Sequence, residues 1–142
     1  MAQRFQVRRS TQGGSTTVEF AFIAFTLILV MFAGIELDRM LFVYTCLADA
    51  AKAGQRYAIF QGSDRPGVDV TAASNLVTAR VKYYTSQLMD PAKLTVRVTY
   101  PDPGGNAAGS HVSVLVQYAY DPWTVLPLNV TLSATSQGIV VF

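Results

Sequence analysis

Several residue types that carry chemistry or cross-links are nearly absent from this 142-residue chain. It has one cysteine, Cys46, so no disulfide can form within it. It has one histidine, His111, with no second histidine or cysteine at metal-ligand spacing. No phosphate-binding GxGxxG loop follows Gly13 and Gly14. These absences predict a protein without cofactor, metal or catalytic constellation. We expect Cys46 to be a small buried apolar residue, with a bridge between chains as the alternative.

Charge is also scarce, and its placement is uneven. Only 14% of residues are charged, against about 25% in a usual soluble domain. The basic residues Arg4, Arg8 and Arg9 precede any acidic residue, and without them eight basic residues face nine acidic ones. The sequence pI near 8.8 therefore reflects a basic N-terminus, which is typical of the cytoplasmic side of a membrane span. No nucleic-acid partner is predicted.

The apolar excess is concentrated in Phe20 to Ile35, which holds no charge. A bilayer needs about 20 apolar residues, and neighbours on both sides lengthen this run, so we predict a transmembrane helix over 15–40. A cleaved secretory signal would need a small-x-small site, but Met31 or Phe32 would occupy its outer position. A twin-arginine signal would need a hydrophobic residue soon after the arginine pair, but Ser10-Thr11-Gln12 follow Arg8 and Arg9. The apolar run is therefore interpreted as a retained membrane anchor.

Glu19 lies just before this apolar run. A carboxylate is costly in hydrocarbon without a cationic partner, so its position favours a functional role over that of an interfacial residue at the headgroups. At the other end, we expect Glu36, Asp38 and Arg39 to be solvated at headgroup level, with pairing between subunits as the alternative.

After the span, apolar residues continue at helical spacing, which predicts one helix from about residue 16 to residue 60. Its part beyond the membrane, 41–62, leads into a small domain over 63–142. There the pattern predicts a second helix and three strands, at 68–88, 94–100, 112–120 and 130–135. The predicted fold class is α+β, with a three- to four-stranded antiparallel sheet covered on one face.

Three short motifs point to a known family. They are Gly13-Gly14-Ser15-Thr16-Thr17-Val18-Glu19-Phe20-Ala21, Gly34-Ile35-Glu36-Leu37-Asp38-Arg39 and Asp49-Ala50-Ala51-Lys52-Ala53-Gly54-Gln55-Arg56-Tyr57-Ala58. The chain resembles the TadE-like minor pseudopilins of the tight-adherence (Flp/Tad) branch of type IV pili. The related subunit TadF begins in the same way. The specific resemblance covers the first sixty residues, and the C-terminal half fits loosely.

The resemblance implies a processing site and an assembly site. Residues 1–14 correspond to a basic prepilin leader, cut by a prepilin peptidase between Gly14 and Ser15 after Gly13. Glu19, with Phe20 beside it, corresponds to the assembly position. A new amine at Ser15 would lie about 6 Å along a helix from Glu19, or within reach of that residue on a neighbouring subunit.

The implied protein is a non-enzymatic structural and assembly subunit. It spans the bacterial inner membrane once, with its N-terminus cytoplasmic and its domain periplasmic, and it is incorporated in an extracellular pilus. Its partners are the membrane, the peptidase, pilin and pseudopilin subunits of the TadE, TadF and Flp type, and the pilus assembly platform. The alternative is an uncleaved, signal-anchored periplasmic binding domain.

Overall fold

The computed structural model describes residues 13–64, 66–122 and 130–141. A 46-residue helix, α1 (Gly13–Ala58), is followed by a second helix, α2 (Val70–Thr85), and a single 3-10 turn at Pro91–Lys93. Three strands complete the chain: β1 (Leu94–Thr99), β2 (His111–Tyr120) and β3 (Val130–Ile139). The α+β prediction is therefore confirmed, with three strands in the sheet. The first twelve residues of the predicted leader, and residues 123–129 between β2 and β3, lie outside the described residues.

The observed elements lie close to their predicted bounds, except at the end of β3. Helix α1 includes Gly13 and Gly14, so both glycines of the predicted processing site are helical. Strand β3 continues to Ile139, four residues beyond the predicted end. Ser136, Gln137 and Gly138 carry little strand propensity, and pairing with β2 is what keeps them extended.

The sheet is an antiparallel meander in the order β1-β2-β3. Leu94 pairs with Tyr118 at one end, and His111 pairs with Ile139 at the other. Alternate side chains of β2, namely Val112, Val114 and Val116, are fully buried, while the opposite face of the sheet is half-buried on β2, exposed on β1 and β3, and rich in threonine, serine and glutamine. One face of the sheet is thus covered by α1 and α2, as predicted.

Small residues allow α1 to approach the sheet and α2 closely. Leu47, Ala50, Ala51 and Ala58 are fully buried on its inner face. At Gly54 an added Cβ would lie 2.6 Å from Val81 Cγ2. This position therefore requires glycine because the two helices meet there.

The end of the domain opposite the span is fixed by a buried amide. Asn106 Nδ2 donates to the carbonyl oxygens of Gln61 and Val68, at 3.1 and 3.2 Å, and its own carbonyl oxygen accepts from Ser63 N. The preceding Gly105 has φ +60, a conformation that glycine adopts without strain. The loop after α1 is thereby tied to the loop between β1 and β2.

Candidate functional site

The N-terminal half of α1 is the first part of the candidate site. Helix α1 has the length and composition to cross a membrane, and none of its most apolar window is buried within the chain. Its large apolar side chains up to Leu37 are exposed all round, which suits a helix surrounded by lipid or by other helices. One apolar N-terminal helix is thus compatible with single-pass anchoring. Because α1 passes residue 40 without a break, the boundary of the span there stays a prediction.

The predicted processing and assembly residues all lie in the first two turns of α1. Gly14, Ser15, Glu19 and Phe20 are exposed, and an added Cβ at Gly14 would meet nothing within 4 Å. Glu19 forms no ion pair among the described residues. Ser15 precedes it by four residues, about 6 Å of helix rise.

The helical state of Gly13 and Gly14 bears on the processing hypothesis. A peptidase acting on an extended backbone would have to unwind this first turn. Glycine is about 1 kcal/mol per residue less favourable than alanine in a helix, so the cost of opening the turn is small. The two glycines therefore suit a segment that is helical at rest and extended in a protease.

The second part of the site was not predicted from the sequence. We call it the junction cluster: Glu36, Arg39, Lys93, Tyr120 and Asp121. Tyr120 Oη donates to Glu36 Oε1 at 2.5 Å. Arg39 Nη1 lies 3.8 Å from the same carboxylate oxygen and donates to the Asp121 carbonyl oxygen at 3.2 Å. The cluster joins the outer end of the span to the last residues of β2.

Further contacts strengthen the junction cluster. The Arg39 guanidinium carbon lies 5.1 Å from the centroid of the Tyr120 ring, a cation–π distance. Lys93 Nζ donates to Asp121 Oδ2 at 3.0 Å, and this hydrogen bond raises the pKa of Lys93. The interpretation of Glu36 and Arg39 as solvated charges was therefore wrong. Their partners are 80 or more residues away in sequence, beyond the reach of local pattern.

Burial of Tyr120, followed by its hydrogen bond to Glu36, raises the pKa of its hydroxyl to about 12. The hydroxyl thus stays protonated across the physiological range and remains a donor to Glu36. In the sequence, Tyr120 is the last residue of the predicted strand 112–120, and this position gave no indication of a bond to Glu36.

The two residues with the most obvious chemistry lie elsewhere. His111 is exposed, and its Nδ1 lies 2.9 Å from Asp102 Oδ2, which also accepts from the His111 backbone N–H at 2.6 Å. These bonds lower the pKa of Asp102. Cys46 is half-buried against the core, and burial followed by the charge of Asp49 raises the pKa of its thiol. Neither joins a metal-binding group among the residues that the structure describes.

The fold and the site define a class: a small α+β domain carried on one long helix that can anchor it in a membrane. Residues 14–56 match the family model described as TadE-like protein. The predicted resemblance to TadE-like proteins is thereby confirmed over this segment, which supports a TadE-like protein of Tad pilus systems. The match contains Ser15, Glu19, Glu36 and Arg39 and covers less than a third of the chain. No curated protein and no solved structure matches the chain.

Proposed function

We propose that this chain is a minor pseudopilin, a non-enzymatic structural and assembly subunit of a Tad pilus. Its N-terminus faces the cytoplasm and its domain the periplasm, since the basic residues precede the span. The observation that carries the proposal is the position of Glu19 in the matched segment: it is exposed, unpaired among the described residues and one helical turn from Ser15.

In this proposal, processing creates the positive charge with which the Glu19 carboxylate pairs. Cleavage between Gly14 and Ser15 by a prepilin peptidase at the cytoplasmic face removes the basic leader and creates an α-amine on Ser15. The amine is positive at neutral pH, and pairing with Glu19 of the same or an adjacent subunit offsets the cost of a carboxylate in apolar surroundings. Pairing between subunits would also set the register of neighbouring spans along the helix axis.

The function that follows is assembly by lateral packing of α1. The exposed span contacts the spans of pilin and pseudopilin subunits, first in the membrane at the assembly platform and then in the filament. The domain stays outside, where it takes part in assembly, secretion and adhesion by the pilus.

N-terminal sequencing of the membrane-purified protein tests this proposal. In cells with an active peptidase we expect the chain to begin at Ser15, and in peptidase-deficient cells at Met1. Gly14→Asp is expected to leave the full-length precursor on a gel, because the added carboxylate blocks the substrate position. The control is Gly104→Asp, which places the same change in a domain loop and should leave processing intact. Gly34→Asp would instead add a charge within the span. An intact Met1 despite active peptidase would favour an uncleaved, signal-anchored periplasmic domain instead.

A further inference from the structure

The outer edge of β3 is unprotected. The strand is ten residues long, from Val130 to Ile139, and contains no charged residue and no proline. It pairs with β2 one residue to one, without a bulge, and no strand pairs with its other edge among the described residues. Exposed edges in natural proteins are usually short, charged, bulged or covered, because free backbone groups attract other strands.

The opposite edge of the same sheet follows that rule. Strand β1 has six residues, carries Arg97 in its centre, and lies between Lys93 and Pro101. Charge, short length and a flanking proline discourage pairing at this edge. One edge of the sheet is therefore closed to added strands, and the other is open.

The layer of helices is wider than the sheet beneath it. Helices α1 and α2 pack side by side on one face, and two helices need about 20 Å. Three strands at about 4.8 Å span only about 14 Å. Helix α1 lies over β3, where an added Cβ at Gly138 would meet Gln55 and Ile59. Two inward side chains of β3, Val130 and Leu132, stay half-buried, whereas Val112, Val114 and Val116 on the inward face of β2 are fully buried. The space beside β3 and under α1 fits one more strand.

Among the described residues, no segment pairs with the backbone groups along most of this edge. At the end far from the span, Val140 N donates to Ser110 O while Val141 N donates to Ile59 O, so successive amides point to opposite sides of the strand. The end of α1 therefore occupies the distal tip of the edge. The stretch nearer the membrane, from Val130 to Gln137, remains open among the described residues.

The direction of β3 limits what can pair with it. Tyr120, at the end of β2, contacts Glu36 of the span, so β2 runs toward the membrane and β1 and β3 run away from it. Two copies in one membrane would present β3 in the same direction, which rules out antiparallel pairing of β3 with β3. Parallel pairing of β3 with β3, by rotation about the membrane normal, would turn the polar face of the second β3 under α1, where apolar side chains are needed. The β1 edge of a second copy carries α2 above it, which would collide with the overhanging α1.

We infer that β3 accepts one extended segment of another polypeptide as a fourth strand, and that this segment has no helix packed above it. Apolar side chains would alternate along it, pointing under α1, with small polar ones beside Thr131, Ser133 and Thr135. The inference rests on the proposed function, because that function places all copies in one membrane with the same orientation. In that orientation, strand direction and the collision of helices argue against a second copy as the partner. The main-chain hydrogen bonds would give affinity, and the half-buried row of Val130 and Leu132 would select the partner.

Site-specific photo-crosslinking in assembled membranes tests the inference. Single cysteines, Ser133→Cys and Thr135→Cys, are introduced in a Cys46→Ser chain and labelled with benzophenone maleimide. Thr95→Cys and Thr99→Cys are the matched controls, since they are exposed on the closed edge. We expect at least tenfold more crosslinking from the β3 positions. Mass spectrometry should place the two crosslinks on one segment of another protein, two residues apart, as a paired strand requires.

Three results would overturn the inference: equal crosslinking from both edges, a crosslink only to this chain's own residues, or crosslinked positions without the two-residue step. Hydrogen exchange of the unmodified protein is a second measurement, in which β3 amides should exchange at least tenfold more slowly in assembled membranes than in detergent. Equal exchange would also contradict it. N-terminal sequencing of the same samples separates the two proposals: a chain beginning at Ser15 without the crosslink pattern retains the pseudopilin function and removes the strand partner.

Discussion

The two halves of α1 are one continuous helix in two different surroundings. From Gly14 to Phe42 the large apolar side chains are exposed on the isolated chain except for Met40, whereas from Val43 to Ala58 the inner face is buried against α2 and the sheet. The first half uses large apolar residues on all sides, and the second uses alanine and glycine on one side. Helical backbone is therefore common to both, and side-chain size and distribution decide whether the helix meets lipid and other spans or its own domain.

The largest expected effect concerns Glu19, the charge that precedes the uncharged run from Phe20 to Ile35. Glu19→Ala should be processed normally, because the change lies beyond the cleaved bond, but its incorporation into the pilus or its subcomplex should fall at least tenfold. The physical reason is that the Ser15 amine would lose its partner in apolar surroundings. Quantitative immunoblots of sheared pili and of membranes would measure this. Glu19→Asp is the control, since it keeps the charge and should restore part of the incorporation; normal incorporation of Glu19→Ala would refute the assembly role.

A pair of identical substitutions contrasts the two halves directly. Leu47 is fully buried and Leu29 is 53% exposed. Leu47→Ala should lower the free energy of unfolding of the domain by about 2–5 kcal/mol, because it leaves a cavity in the core. Leu29→Ala should change it by less than about 0.5 kcal/mol. Denaturant unfolding of the full chain in detergent micelles measures both, and similar losses from the two changes would show that the halves do not differ as described.

Two glycines sharpen the comparison. An added Cβ at Gly54 would lie 2.6 Å from Val81, whereas at Gly34 it would meet nothing within 4 Å. Gly54→Ala should therefore destabilise the domain by about 1–3 kcal/mol through overpacking. Gly34→Ala should not destabilise it, since alanine favours helix more than glycine does. The same unfolding assay reports both, and a stable Gly54→Ala protein would contradict the close approach of the helices.

The junction cluster connects the first half of α1 to the end of β2. Its hydrogen bond from Tyr120 to Glu36 can be removed without changing the other contacts. Tyr120→Phe should lower stability by about 1.5–3 kcal/mol, the range for a hydrogen bond to a charged group. Tyr118→Phe is the control on the same strand, because its hydroxyl makes no hydrogen bond among the described residues, and it should have little effect. Thermal unfolding of the full chain measures the difference. If both variants unfold at the same temperature, the hydrogen bond from Tyr120 to Glu36 does not stabilise the folded chain.

The smallest effect is a pH dependence at the same residue. The pKa of Tyr120 is raised to about 12 in the folded chain, against about 10 for a free tyrosine. Its contribution to stability is therefore fully present below about pH 10 and is lost as the pH rises toward 12. Tyrosinate absorbance should show a late-ionising component that Tyr120→Phe removes, beside that of Tyr100, whose pKa burial also raises. An unchanged absorbance titration in Tyr120→Phe would contradict the burial and hydrogen bonding of Tyr120.

Sequence pattern predicted the parts of the molecule that depend on local physics. The apolar run before Ile35 has no charge, so a membrane-spanning helix follows from composition. Alternation in β1 and β2 fixed those strands within about one residue. The end of β3 was missed because Ser136 to Gly138 lack apolar alternation, and only pairing with β2 extends the strand. Glycine at position 54 gave no signal of its role, since its necessity comes from a valine on another helix.

The sequence by itself determined the apolar helix, the fold class and the resemblance to TadE-like proteins, because each depends on residues close together along the chain. Only the tertiary structure decided how Glu36 and Arg39 are used and which edge of the sheet stays open among the described residues. The domain partners of Glu36 and Arg39 lie more than 80 positions away and are brought together when the long helix packs on the sheet, whereas the open edge follows from the strand order. A charge at a membrane boundary looks the same in sequence whether water or a tyrosine hydroxyl satisfies it, and packing alone makes the difference.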